Sequence, residues 1–147
     1  MTTKRIKSIV TTAFSDESID AVIRRMANES RQVVNPGIAV ILDNQNVLLG
    51  ILTDGDIRRA YSDDIPFSSN VSKIMITDPI TVTDKIQKKD IVLEVTKKLK
   101  SNENHHNKWV RHILIVNDKN QLVNIIDYLK ILQDRSDLVK QVAIFGM

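Results

Sequence analysis

Residues 37–59 read GIAVILDNQNVLLGILTDGDIRR, and the fold is decided in this stretch. Ile38-Ala-Val-Ile-Leu42 and Val47-Leu-Leu-Gly-Ile-Leu52 are apolar runs of strand length, which read as a hairpin of buried strands. Asp43-Asn-Gln-Asn46 between them has the composition of a tight turn. After Thr53, the acidic pair of Asp54-Gly-Asp56 suits the positive end of a helix, and Ile57, Ala60 and Tyr61 recur at helical spacing. The order is strand, turn, strand, helix.

The same order returns downstream. His112-Ile-Leu-Ile-Val116, a turn at Asn117-Asp-Lys-Asn120, Leu122-Val-Asn-Ile-Ile126 and a helix from about Tyr128 repeat the first block. Ile38 to His112 and Gly50 to Asn124 are both 74 positions apart, so the two hairpins align without a gap. Each is preceded by a segment with one apolar helical face: Ile19, Val22, Ile23 and Met26 in the first copy, Ile91, Val92, Val95 and Leu99 in the second. Ser15, and Thr83 or Asp84, are the expected N-caps. Matching Phe14-Ser15 to Val82-Thr83 gives an offset of 68, which assigns six extra residues to the second copy, in the polar stretch Ser101–Lys108.

Two copies of helix, strand, strand, helix complete a core only by packing on each other. The expected fold is therefore α/β (α+β), with two pseudo-twofold-related repeats, each a small sheet packed against two helices. The expected organisation is a first repeat over 1–66, a second over 67–135, and a tail or the opening of a following domain over 136–147, with the linker in Asp63–Pro66 and Ser68–Asn70.

Composition excludes several functions. The 147 residues include no cysteine, which rules out disulfides and thiolate metal sites, and no long apolar run indicates a membrane span or a secretion signal. A cytoplasmic location is the expectation. The formal charge of +3 is spread over several segments and only 4% of residues are aromatic, which argues against nucleic acid. Lys88-Lys89 and Lys97-Lys98 read as the solvated side of a helix. His105 and His106 with Glu103 share no helical face and complete no ligand set, so they read as a polar loop rather than a metal site, with Trp109 as its packing anchor. No nucleophile-base pair, paired carboxylate site or phosphate loop has the spacing that catalysis requires, so no catalytic and no metal-binding residues are expected.

Gly37-Ile-Ala-Val-Ile-Leu-Asp43 with Leu49-Gly-Ile-Leu-Thr-Asp-Gly-Asp-Ile-Arg-Arg59 resembles a CBS motif, and Val71-Ser-Lys-Ile-Met75 with Asp78-Pro-Ile-Thr-Val82 resembles the opening of a second. The family pattern G-h-x-T-x-x-D, with h apolar, matches Gly50, Thr53 and Asp56. The two copies run from about Ile9 to Leu132 and so take in most of the chain. The resemblance implies a tandem pair, a Bateman module: a disc-like regulatory unit, often a homodimer, that binds an adenosyl ligand between the copies and controls an attached or partner protein. AMP, ADP, ATP and S-adenosylmethionine are the implied ligands, and no catalytic cofactor is implied.

At the first site the resemblance assigns the ribose to Thr53 and Asp56. A hydroxyl and a carboxylate across a strand-to-helix junction suit two ribose hydroxyls, and free helix N–H groups suit an anion. Asp54 shares that junction, Gly55 would allow close backbone approach, and Arg58 or Arg59 would reach phosphate. The base falls to Thr11, Thr12, Ile38 and Ala39. In the second copy Asn124, Asp127 and Lys130 replace the glycine, threonine and aspartate, so ribose binding is not expected there, while Arg111 and His112 are assigned to phosphate. Against these assignments stands the simpler reading that Asp54 and Asp56 stabilise a helix start and Arg58 and Arg59 are solvated. A ligand-free dimerisation scaffold is the alternative function. Similar pairs precede sugar-nucleotide transferase domains, so Val139–Met147, with its strand-like Val142-Ala-Ile-Phe145, is read as a terminal strand or the start of such a domain, which would make the chain a fragment of a larger enzyme.

Overall fold

A computed structural model describes residues 3–101 and 111–134. Helix α1 (Thr3–Ile9) leads into strand β1 (Thr11–Ala13), helix α2 (Ile19–Glu29), the hairpin β2 (Ile38–Leu42) and β3 (Leu48–Thr53), and helix α3 (Asp54–Ser62). After a 3-10 turn at Val71–Lys73 come β4 (Thr81–Thr83), a second 3-10 turn at Lys88–Asp90, α4 (Ile91–Ser101), β5 (His112–Val116), β6 (Leu122–Asp127) and helix α5 over residues 128–134. The polar stretch from Asn102 to Lys108, Trp109, and the segment Val139–Met147 lie outside the described residues.

Both hairpins form as the sequence indicates, and each gains a third strand. The sheets run β1-β2-β3 and β4-β5-β6, the first pair parallel and the second antiparallel in both. Three residues are too few for a period-two signal, which is why β1 and β4 are silent in the sequence. The turns are copies of one another. Asp43 Oδ1 accepts from the N–H groups of Gln45 and Val47, and Asn117 Oδ1 accepts from those of Lys119 and Gln121, while Asn46 and Asn120 take the left-handed conformation at φ 64° and 58°. Asn tolerates that region better than most residues, and both sit 74 positions apart.

The paired strands correct the upstream alignment by one residue. Ala13 pairs with Ile41 and Val82 with Ile115, so Ala13 matches Val82 and the offset is 69, leaving five extra residues in the second copy rather than six. Phe14 then matches Thr83, and both are exposed where Ala13 and Val82 are buried. The cap assignments shift too. Ser18, not Ser15, caps α2, accepting from Ala21 N–H at 3.1 Å. Thr83 ends β4, and a 3-10 turn replaces the first turn of the second helix.

The first sheet is buried on both faces, and the second is buried against the first and partly covered on its other face. Ile38, Val40, Leu42 and Leu48 meet Leu114, Val116, Leu122 and Ile125 in one cluster between the halves, as two half-cores must. The opposite face of the first sheet, Ala39, Ile41 and Leu52, packs under Val22 and Met26 of α2. Ile113 of the second sheet packs with Ile91, Val95 and Tyr128. At the centre the two turns bond each other: Leu48 N–H donates to Asn120 O at 2.9 Å, and Gln121 Nε2 to Gln45 O at 2.7 Å.

The leading segments cross over. Helix α1 lies on β6 of the second half, while residues 67–76, which include part of the expected linker, lie on the first half. There Ile76 and Ile51 exchange backbone hydrogen bonds of 2.9 and 2.8 Å, and Val71, Ile74 and Met75 join the cluster over Ile41 and Leu52. A Cβ at Gly50 would stand 2.6 Å from Ile76 O, so the glycine of the motif is what admits this strand-like edge.

Candidate ligand cleft

The chain enters α3 through Thr53, whose extended backbone (φ −115°, ψ 166°) makes it the N-cap. Its N–H and its hydroxyl both donate to Asp56 Oδ2 at 2.8 Å, and its hydroxyl accepts from Asp56 N–H at 3.4 Å. The remaining carboxylate oxygen, Oδ1, is paired with the Arg59 guanidinium one turn on. Asp56 is only 5% exposed while the Arg59 side chain is 65% exposed, so the arginine forms a solvent-facing cover over a buried carboxylate. Thr53 and Asp56 therefore build a capping box, and the simple helix-start reading, made for Asp54 and Asp56, meets the ligand reading at Asp56.

A cavity of about 380 Å³ opens beside Asp56. Ile65, Ile74, Met75 and Ile76 give it an apolar wall, Arg59 and Lys73 bring positive charge, and Asp63, Thr77 and Asp78 complete the rim. The volume is within the range of small-molecule sites. Sequence reasoning missed the 73–78 wall. Its signal was present in Val71–Met75, which reads as the opening of a second motif, together with a glycine at position 50 that needs a backbone neighbour.

The other assigned residues are dispersed. Thr11 and Thr12 are on β1, with β2 between them and β3, the strand that leads through Thr53 into α3. Thr11 Oγ1 donates to Glu29 at 2.8 Å, and Thr12 lines a different cavity with Lys7, Glu17, Arg25 and Glu29. There the Arg25 guanidinium, bonded to Glu17, holds the Glu17 carboxyl below the usual carboxylate range. Ile38 and Ala39 are fully packed core residues. Asp54 faces Gly37 and Pro36 in a separate cavity of about 320 Å³. A Cβ at Gly55 would meet no protein atom closer than Arg59 Nη1 at 3.5 Å. Arg58 is exposed and lines neither this cavity nor that of the second half, whereas Arg59 lines the cavity at Asp56.

The second half has a larger cavity, about 530 Å³, containing Asn124, Asp127 and Lys130. Asp127 takes over the capping role of Thr53, accepting from the N–H groups of Leu129 and Lys130 at 3.1 and 3.4 Å, and its other oxygen is 3.7 Å from Arg111. Lys130 occupies the position of Asp56 and is exposed. Neither Arg111 nor His112 lines this cavity. Burial, and then Arg111, push the His112 imidazole below its ordinary pKa, with Asp127 opposing. Glu103, His105 and His106 lie outside the described residues, and among the described residues no group of three His, Asp or Glu side chains could hold a metal. No helix among the described residues is long and apolar enough to cross a membrane.

No curated protein matches the chain. Solved structures do. A CBS domain protein from Pyrobaculum aerophilum, PAE2072, complexed with AMP, superposes with a TM-score of 0.66 at 20% identity, covering 92% of each chain. Staphylococcus aureus OpuCA gives 0.64 at 16% identity over 88% of this chain and 94% of its own. The CBS domain pair of MJ0100, complexed with 5′-methylthioadenosine and S-adenosylmethionine, gives 0.61 at 20% identity over 90% and 92%. At these identities the likeness is one of fold. The CBS domain model matches twice, at residues 4–63 and 71–137, and these two matches in tandem, on the shared fold, place the chain in the CBS-domain family.

Proposed function

We propose that this chain is a non-catalytic regulatory module that binds an adenosyl ligand in the first cleft and controls an attached or partner protein. The observation that carries the reading is the buried Asp56 carboxylate at the wall of a cavity that is apolar on one side and carries Arg59 and Lys73 among the charged groups of the other. The ribose hydroxyls would displace Arg59 from Asp56 Oδ1, freeing the guanidinium to join Lys73 at a phosphate. The base would lie against Ile65, Ile74 and Met75. Thr11, Thr12, Ile38 and Ala39, to which the sequence assigns the base, are the alternative contacts. Binding of AMP by PAE2072, and of methylthioadenosine and S-adenosylmethionine by MJ0100, supports the ligand class. Because residues 73–78 lead into the second half while Asp56 belongs to the first, a ligand between them would bias the arrangement of the two halves.

Calorimetric titration with AMP, ADP, ATP, S-adenosylmethionine and GTP tests this. One adenosyl ligand is expected to bind the parent and to be lost in Asp56→Ala, with circular dichroism showing the variant folded. Equal binding by Asp56→Ala overturns the ribose assignment. A second reading, a ligand-free dimerisation scaffold, is favoured by one observation: Asp56 is already fully bonded within the chain. It expects a homodimer whose melting temperature no nucleotide changes.

A further inference from the structure

The pair of Asp56 and Arg59 differs from an ordinary ion pair on a helix surface in two respects. Its carboxylate is buried, and its guanidinium stands in the wall of the first cavity. Pairs three residues apart on a solvated face lie in water and contribute little. Here the two oxygens of Asp56 are divided between two tasks. Oδ2 receives the N–H and the hydroxyl of Thr53, both set by the backbone at the helix start, so that side of the carboxylate is fixed. Oδ1 is held by Arg59. Only this second bond can be exchanged without undoing the cap, because Arg59 reaches it through a long side chain that is 65% exposed. The guanidinium lies over Gly55, where a Cβ would stand 3.5 and 4.0 Å from its two terminal nitrogens.

Both members of the pair are missing from the second copy. At the offset of 74, Asp56 becomes Lys130 and Arg59 becomes Gln133. The start of α5 is capped there by Asp127, without either. Starting the helix therefore does not require the arginine, which leaves its place on Oδ1 to be explained by the cavity it lines.

Exchange at Oδ1 has a chemical consequence. A ribose hydroxyl is a neutral donor, and it would replace a charged one at a buried carboxylate. The displaced guanidinium loses its anion. A ligand that carries an anion of its own returns a partner to Arg59, and Lys73, from the 3-10 turn at Val71–Lys73, lines the same cavity. A neutral ligand returns nothing. Asp63 and Asp78 line that cavity too, so its overall charge does not select an anion. The exchange at Arg59 does.

We propose that Arg59 is a latch that selects the ligand. It closes Asp56 in the empty cleft and opens for an adenine nucleotide, whose phosphate takes the guanidinium, in preference to a neutral nucleoside. This inference rests on the adenosyl reading of the cleft and adds which member of that class the cleft holds.

Calorimetric titration of the parent and of Arg59→Met with adenosine, AMP and ATP tests it. The parent is expected to bind a nucleotide more tightly than adenosine. In Arg59→Met adenosine should bind about fivefold tighter, since no guanidinium has to be displaced, and the nucleotide about tenfold weaker. Equal affinity of the parent for adenosine and the nucleotides, or an Arg59→Met that keeps the parent's preference, overturns the latch and leaves the adenosyl reading standing. If neither protein binds any of the three, the latch falls, and S-adenosylmethionine decides whether the adenosyl reading falls with it. Where circular dichroism shows Arg59→Met unfolded, the parent alone decides. Added salt screens the exposed guanidinium, so adenosine should bind more tightly as ionic strength rises while the nucleotide binds less tightly, and a common response of both overturns the proposal.

Discussion

Replacing Gly50 by alanine probes the contact that shapes the first cleft. The added Cβ would lie 2.6 Å from Ile76 O and 3.1 Å from Met75 Sδ, about 0.8 Å inside ordinary contact with the oxygen. That carbonyl cannot turn away, because Ile76 and Ile51 are tied by two backbone hydrogen bonds. The edge must therefore move outward as a unit. Loosening two bonds worth about 0.5–1.5 kcal/mol each, plus ~1–3 kcal/mol of overpacking, sets a cost of roughly 2–6 kcal/mol. For a domain of this size that is a fall in Tm of about 5–25 °C. Gly50 has no positive φ, so backbone strain does not contribute. Urea unfolding of Gly50→Ala beside Asn124→Ala measures the asymmetry, since the latter removes only the bond to Ile125 N–H, about 1 kcal/mol. A Gly50→Ala protein within 0.5 kcal/mol of the parent would refute the close-approach argument.

Thr53→Ala removes the cap and one donor to the buried Asp56, with an expected cost of about 1–2 kcal/mol that Thr53→Ser largely restores, as thermal unfolding will show. Leu114→Ala, fully buried between the halves, should cost ~2–5 kcal/mol in urea unfolding, whereas Leu93→Ala at a 58% exposed site should cost under about 0.5. His112 has a folded pKa below its ordinary 6.5, so the unfolded chain takes up the proton first as pH falls. Its contribution is present above pH 6.5 and is lost below that as pH drops toward the folded value. Stability measured against pH should therefore slope downward below pH 6.5, and His112→Gln should flatten that slope.

Much of this could be read without coordinates, and for a local reason. The apolar runs at 38–42 and 47–52, their turn and the helix start at Thr53 are each dictated by neighbouring residues, and the ungapped 74-residue repeat states the pseudo-symmetry outright. The capping partners Thr53 and Asp56 are three residues apart, so their association was legible as well. What the sequence could not show is which segments meet across the fold. It could not show that Thr11 and Thr12, assigned to the base, lie on a third strand with β2 between them and β3. It left Arg58 and Arg59 equivalent, and only the helix phase turns Arg59 onto the carboxylate. The repeat and its strands are properties of neighbouring residues, whereas the cleft is made by residues 73–78 crossing onto β3, a long-range contact whose traces in the sequence are the motif opening at Val71–Met75 and the missing side chain at Gly50.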